Sequence, residues 1–314
     1  MKRVLLGKTG LSVYPLCLGC MNFGSTTDES TSLKILDEYY SLGGNFLDTS
    51  CNYAHWNNAD GASEEVIGKW LRSRRDIERD KLVIATKVGY DHYGADQGLS
   101  REQIKRWCDV SLKRMGVDYV DILYAHVDDM QTPQEETMEA FDSLIKSGKV
   151  RAVGCSNYYT WRIEKANECA RKNGWAEFAL NQQKYTYLFA KNGCEKVYPL
   201  NENAGPEKLA YLADANMPLV AYSCLAGGGY EDEARLPDFY IKGERLDLLR
   251  ANAKALGCTC SQLVLAYVAS IGRANGMPQA VPLFSTSREG HLTDAAKALE
   301  IVIPDSMLAE MIAK

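Results

Sequence analysis

The sequence predicts an α/β protein, a single (β/α)8 TIM barrel domain over residues 1–314 with a small N-terminal β-hairpin. Three observations carry this reading. Short β-rich apolar runs alternate with longer segments of helical periodicity, eight times in succession. No linker of low-complexity composition divides them, which argues one domain. Polar residues also gather at the C-terminal ends of successive strand candidates, the end at which a barrel carries its site. An open doubly wound sheet is the alternative. It calls for a glycine fingerprint after its first strand, whereas CLGCMNFGS has glycines only at Gly19 and Gly24, the wrong spacing.

The elements follow in order. A hairpin turns at Gly7-Lys8-Thr9-Gly10, and PLCLGCM is the first barrel strand, leading to a helix over about 29–42. NFLDTS is the second strand, followed by a helix that starts at a Ser63-Glu64-Glu65 cap. LVIATKVG is the third and the most strand-like run of the chain. Ser100 with Gln103 three residues on reads as a capping box, opening a helix that ends near Gly116. VDILYAHV is the fourth strand, with a helix from Thr132-Pro133 to about Lys146; AVGCSN is the fifth, with a helix to Lys172. FALNQQKY precedes a helix over 206–215, and MPLVAYS precedes a long helical region over about 244–270. QAVPLFS closes the set, with a helix from Ser287 or Arg288 to about Leu299.

Composition narrows the function classes. With 46% hydrophobic and 25% charged residues the chain can bury a sizeable core, which excludes a disordered or fibrous protein. The net charge of -5, with Lys and Arg dispersed, leaves no basic footprint for nucleic acid or for an acidic membrane surface. No apolar run reaches the ~18 residues of a membrane span, and Gly7 interrupts the N-terminus before a signal-peptide apolar region could form. Ten cysteines without a secretion signal fit a reducing compartment, so the expected location is cytoplasmic.

Four strand-end residues would converge in a barrel: Asp48, Tyr53 in the following loop, Lys87 and His126. Such a set has a definite use. A Tyr hydroxyl, with an ordinary pKa of about 10, is a poor acid at neutral pH, and a nearby ammonium favours its phenolate. Asp48 would hold Lys87 charged and in place. His126 would hydrogen-bond the carbonyl oxygen that Tyr53 protonates. None of the four supplies a hydride, so a nicotinamide cofactor has to.

At these residues the sequence closely resembles the aldo-keto reductase family, almost end to end. The resemblance is carried by NFLDTSCNY, ASEEVIGKWL, LVIATKVG, SLKRMGVDYVDILYAHVDDMQTPQEETMEAF, SGKVRAVGCSN, NQQKYTYL and LVAYSCL, each in its expected order. It implies an NADPH-dependent carbonyl reductase, acting reversibly on a small-molecule carbonyl or alcohol substrate, with the tetrad Asp48, Tyr53, Lys87 and His126. It implies further that Ser156, Asn157 and Gln182 hold the nicotinamide carboxamide and that Tyr222 stacks on the ring. Asp48, Cys20 and Met21 would approach the cofactor. The pyrophosphate is expected near Ser223, Leu225 and Gly227, and the 2′-phosphate near Ser285, Thr286, Arg288 and His291. Here the chain departs from the family, which commonly reads Gly-Thr or Lys-Ser after the last strand and ends the motif on Asn; this chain reads PLFSTSREGHLTDAA. Arg288 supplies a cation at the expected helix N-terminus, a favourable phosphate site.

Other features have blander readings. His55, His92 and His291 lie in loops or near a helix start without ligand spacing, so no metal site is expected. Cys17 and Cys20 form a C-x-x-C pattern, but residues three apart on a strand point to opposite faces, and core packing is expected. Cys258 and Cys260 open a helix. Gly227-Gly228-Gly229 is either a pyrophosphate cradle or a flexible turn. Trp56, Trp161 and Tyr187 are candidates for a substrate pocket, with Trp56 favoured by its closeness to Tyr53. The loops 53–63 and 225–240 are expected to set substrate choice, and their aromatic and polar content suits a sugar-derived carbonyl compound. Two rivals have a physical basis: an NADPH-binding sensor or regulatory subunit with little turnover, and a barrel lyase that uses Lys87 as a Schiff-base amine. The intact tetrad opposes the first, and the Asp48 partner opposes the second.

Overall fold

The computed structural model describes residues 3–57, 59–90, 97–191 and 203–314. His92 and Cys194 lie outside these residues. Strands β1 (Val4–Leu5) and β2 (Ser12–Val13) form the antiparallel hairpin. Eight parallel strands then close a barrel in chain order: β3 (Cys17–Gly19), β4 (Phe46–Asp48), β5 (Val83–Val88), β6 (Val120–Ala125), β7 (Val150–Ser156), β8 (Leu180–Lys184), β9 (Leu219–Tyr222) and β10 (Ala280–Phe284). The ring closes where Leu283 and Phe284 of β10 pair with Cys17 and Leu18 of β3. Around it run α1 (Glu29–Ser41), α2 (Ala62–Ser73), α3 (Arg101–Met115), α4 (Gln134–Lys146), α5 (Thr160–Asn173), α6 (Pro206–Asp214), α7 (Gly243–Leu256), α8 (Cys260–Ser270), α9 (His291–Ala296) and α10 (Asp305–Ala313). The fold is the (β/α)8 barrel with a hairpin that the alternating pattern predicts.

Strand alternation builds two cores. Cys17, Phe46, Val83, Ala85, Ile122, Tyr124, Ala152, Leu180, Val220 and Val281 point into the barrel, and Leu6, Leu11 and Val13 of the hairpin segment pack against them. Their strand neighbours Leu18, Leu47, Ile84, Leu123 and Val153 face the helices. The hairpin is therefore the plug of the N-terminal end, held by Gln279, whose amide takes the Gly7 N–H at 3.0 Å and donates to the Leu5 carbonyl at 2.7 Å.

Three helix boundaries differ from the sequence reading. Helix α2 is capped by Gly61, in the left-handed region at φ 79°, so Ser63 sits inside its first turn. Ser63 there donates to the Cys20 carbonyl (2.8 Å) and shares a hydrogen bond with Thr49 (2.7 Å), which ties α2 to the first two barrel strands. The long helical region over 244–270 divides into two helices, α7 and α8, which meet at 96°, the second opening at Cys260 where the sequence reading placed a helix start. Gly257 ends the first in a left-handed conformation, and Thr259 with Gln262 forms a capping box that starts the second. The helix expected from Ser287 or Arg288 starts at His291, and Ser285 to Gly290 is a turn. Among the described residues no single helix is long and apolar enough to cross a membrane.

Candidate active site

Alternation in β4 and β5 points Asp48 and Lys87 inward, one layer above the apolar filling of the barrel, and both are buried. The Lys87 ammonium ion-pairs with Asp48, donates to the Thr49 carbonyl at 2.7 Å and reaches the Tyr53 hydroxyl at 3.1 Å. The second Asp48 oxygen accepts from the Gln182 amide at 2.7 Å. Burial pushes the Asp48 carboxyl above its ordinary range, opposed by Lys87 and Gln182. Burial also works against the Lys87 charge, but Asp48 and Tyr53 outweigh it and hold the ammonium above its ordinary value. Lys87 is thus a fixed cation, not the easily deprotonated amine that a Schiff base needs.

Tyr53 lies in the loop after β4, followed by Ala54 in the left-handed region at φ 78°, a conformation uncommon for a residue with a Cβ. This turn aims the phenol at Lys87. The sequence argument weighed only the ammonium and expected the hydroxyl to be acidified. In the structure, desolvation wins: burial raises the Tyr53 pKa above 10.0 and Lys87 only partly offsets it. Tyr53 therefore rests protonated. His126, directly after β6, meets the Tyr53 ring edge-on at 5.8 Å and lies 5.2 Å from the Tyr90 ring. Its Nδ1 is 3.1 Å from the hydroxyl of Ser50. Trp56 stands 6.5 Å from the Tyr53 ring and is exposed. The roles of Ser50 and Tyr90 escaped the sequence reading; their position at the ends of β4 and β5 is the signal that pointed to them.

Behind this layer, Thr86 of β5 faces outward and donates to Glu64 at 2.7 Å. Arg114 of α3 pairs with the same buried carboxyl at 3.2 Å and donates to the Cys51 carbonyl at 2.6 Å. The loop that carries Tyr53 is thus clamped between α2 and α3.

The residues assigned to a cofactor by resemblance line the other half of the mouth. Asn157, at φ 56°, donates to the His126 carbonyl (3.0 Å) and to the Ser156 hydroxyl (3.1 Å), and it accepts from the Tyr222 hydroxyl at 2.8 Å. Ser156, Asn157 and Gln182 carry hydroxyl and amide groups of the kind that pair with a carboxamide, with both ends of the Asn157 amide and the Gln182 N–H bonded within the site. Beyond Tyr222, Ser223, Ala226, Gly227 and Gly228 all have positive φ, from 47° to 86°. The N–H groups of Ala226, Gly228 and Gly229 donate within this turn to the carbonyls of Ser223, Leu225 and Ala226, and a Cβ at Gly227 would meet nothing within 4 Å. The open face at Gly227 leaves room for a phosphate group. Leu225 caps the turn, half-buried. Cys20 is buried, its backbone N–H bonded to the Asp48 carbonyl at 2.8 Å, while Met21 is exposed.

The helix-end phosphate site is corrected. Arg288 is exposed in the turn before α9, three residues ahead of His291, where Thr286 accepts its backbone N–H at 3.1 Å and Ser285 is exposed. The α9 N-terminus already holds an anion: Glu38 of α1 accepts from Gly290 and Thr293 N–H groups, both at 2.9 Å. Any phosphate there depends on the Arg288 side chain, not on the helix end. Tyr187, the weaker pocket candidate, packs instead, fully buried against Tyr267 at 5.2 Å. Trp161 lines a separate cavity of about 310 Å³ with Asn203 and Lys208. Cys17 packs inside the barrel and Cys20 outside it, as opposite strand faces require. Among the described residues no cluster of His, Cys, Asp or Glu could hold a metal.

Comparison with known proteins identifies relatives along nearly the whole chain. The chain is 33% identical to "Uncharacterized oxidoreductase YrpG" of Bacillus subtilis (strain 168), covering 98% of this chain and 94% of that one. It is 28% identical to a norsolorinic acid reductase of Aspergillus flavus, over 98% of this chain and 79% of the relative. Among solved structures, the thermostable aldo-keto reductase Tm1743, in complex with the inhibitor epalrestat, superposes with a TM-score of 0.78 at 25% identity, over 100% of this chain and 99% of that chain. Residues 15–314 match the profile of the Aldo/keto reductase family, and the chain belongs to that family.

Proposed function

We propose that this protein reduces aldehydes or ketones with NADPH, and oxidises the alcohols in reverse, with Tyr53 as proton donor. One observation carries the reading: the buried Lys87 ammonium bridges Asp48 and the Tyr53 hydroxyl, so a group that rests protonated stands beside the cation that will stabilise its phenolate. The nicotinamide, when bound, supplies the hydride. Ser156, Asn157 and Gln182 would hold its carboxamide and Tyr222 its ring, with Ser223, Leu225 and Gly227 at the pyrophosphate. Ser285, Thr286, Arg288 and His291 would face the 2′-phosphate. Tyr53 gives its proton to the carbonyl oxygen, and His126 orients that oxygen. The nine described cysteines are free thiols, which fits the reducing environment of the cytoplasm.

For the substrate we keep a sugar-derived carbonyl compound: the Tyr53, Trp56 and Tyr90 rings offer flat walls to its apolar face. An aromatic carbonyl compound is the second reading, since the same exposed Trp56 and neighbouring Tyr53 rings would stack on a flat substrate; relatives named norsolorinic acid reductases add a second substrate to test. A panel of sugar and apolar aromatic aldehydes decides, and a wide kcat/KM preference for the aromatic ones overturns the sugar assignment.

The test of the reaction is NADPH consumption with an activated aromatic aldehyde, native against Tyr53→Phe. Turnover is expected to fall by about 10²–10⁴ with cofactor binding retained. Tight NADPH binding without turnover of any aldehyde in the panel by the native protein would favour the sensor role instead.

A further inference from the structure

We infer that Lys184 is an anion-recognition residue of the barrel mouth, which receives a phosphate or carboxylate group carried by a ligand bound there. Two sources share this chemistry: the pyrophosphate of the cofactor and an anionic group on the carbonyl substrate itself. The inference rests on the reductase reading above for the identity of those ligands.

Lys184 is the last residue of β8, two beyond Gln182, so both side chains leave the strand on the same face. That face is the inner one: Gln182 reaches Asp48 at 2.7 Å, and its register partner Val220 points into the barrel. Lys184 therefore stands one layer nearer the mouth than Gln182. Its own register partner is Tyr222 of β9, whose hydroxyl meets Asn157 and after which the turn with the open face at Gly227 begins. The Lys184 ammonium lies 4.9 Å from the Phe239 ring centroid and 5.8 Å from that of Tyr240, both from the loop after β9.

This cation is half-buried, and among the described residues it has neither an ion pair nor a hydrogen-bond acceptor. Burial holds its pKa below the ordinary 10.5, and no opposing charge restores it. Lys87 is buried more deeply, yet Asp48 and Tyr53 hold its pKa up. The Phe239 and Tyr240 rings attract an ammonium but give its three N–H donors no oxygen to bond. A phosphate or carboxylate supplies both the oxygen and the missing charge. The turn after β9 needs such a cation in return. The N–H groups of Ala226, Gly228 and Gly229 are spent within it, and Ser223, Leu225 and Gly227 carry no charge. Arg235 lies against Gly228 but is exposed, so solvent screens it more than it screens Lys184.

The test uses Lys184→Met, which keeps an unbranched chain against the two rings and removes the charge, and Lys184→Arg, which keeps the charge. In native protein with isotopically labelled lysine, and with Lys184 assigned by the methionine variant, inorganic pyrophosphate is expected to shift the Lys184 signal saturably and to raise its pKa. Fluorescence titration with NADPH and NADH, and kcat/KM for a carboxylate-bearing aldehyde against its neutral amide, then assign the source. For the pyrophosphate, Kd of both dinucleotides rises about 10–100-fold in Lys184→Met and is largely restored in Lys184→Arg. For a substrate anion, both Kd values stay native and only the charged aldehyde loses kcat/KM, by a similar factor. A Lys184 signal that pyrophosphate leaves unmoved overturns the inference. So does a loss confined to NADPH, which would place Lys184 at the 2′-phosphate, or a lowered Tm with all binding and kinetic values native, the mark of a purely structural contact with the rings. The pyrophosphate arm needs neither cofactor nor turnover, so its failure is distinct from failure of the reductase reading, which Tyr53→Phe tests.

Discussion

Lys87 is the residue on which the most depends, because its one ammonium neutralises Asp48 and stands ready for the Tyr53 phenolate. Lys87→Met removes both services. It leaves the buried Asp48 carboxylate with the Gln182 amide as donor and no balancing cation, and an uncompensated buried charge costs about 3–5 kcal/mol. The expected result is a lower urea midpoint with an unchanged m-value, together with loss of reduction; an undiminished midpoint would mean that Asp48 takes up a proton at little cost. The four tetrad residues were legible in the sequence because each ends a strand or follows one directly, and because they stand in family order. The acidity of Tyr53 was not legible. Its direction depends on how much water the mouth excludes, a quantity set by Trp56, Tyr90 and His126, which lie on different units. Ser50 escaped for a related reason: its contact with His126 spans 76 positions of sequence.

At the scale of the element, α2 carries a carboxyl that the fold has to bury. Glu64 is fully buried, and burial holds its pKa above the ordinary 4.5 although Ser111, Thr86 and Arg114 pull it down. A raised acid binds its proton more tightly in the folded chain than in the unfolded one. Its contribution to stability is complete below about pH 4.5 and is lost as the pH rises through the folded value. Glu64→Gln, neutral at every pH, is therefore expected to gain stability relative to the native protein between pH 4 and pH 7. Denaturant midpoints of both proteins at several pH values check this, and a gap that is constant with pH would refute it. Most helices were readable from caps, above all α3, where Ser100 and Gln103 form the reciprocal box that was expected. The start of α8 was readable at Cys258–Cys260, whereas the 96° angle at which α8 leaves α7 was not, because no local signal sets it; the Thr259–Gln262 box marks only the boundary. The late start of α9 was missed because its cap is Glu38 of α1, more than 250 residues away.

For the whole molecule, the eight-fold alternation was sufficient to name the architecture, since strands separated by helices run parallel and eight such units close a ring. The sequence showed the hairpin but not its purpose, which depends on Leu6, Leu11 and Val13 meeting Phe46, Val83 and Val281. Chemistry at one end and the plug at the other make stability and activity separable. Leu11→Ala opens a cavity beneath the barrel and is expected to cost about 2–5 kcal/mol, while kcat and KM below the melting transition stay at native values. Thermal melting with kinetics on the same sample measures both. A change in KM without a change in Tm would contradict this division.

The seam between β10 and β3 also bears on how the chain is made. It joins residues 283 and 17 through just two registered pairs, so it is among the most sequence-distant contacts of the ring. A ribosome that has released β3 to β9 but not β10 carries a seven-stranded sheet with two raw edges, and the Glu38 latch on α9 is not yet in place. During synthesis this is the interval of greatest exposure to aggregation, and where a holding chaperone would act. It ends only when residues 280–284 emerge and the ring shuts.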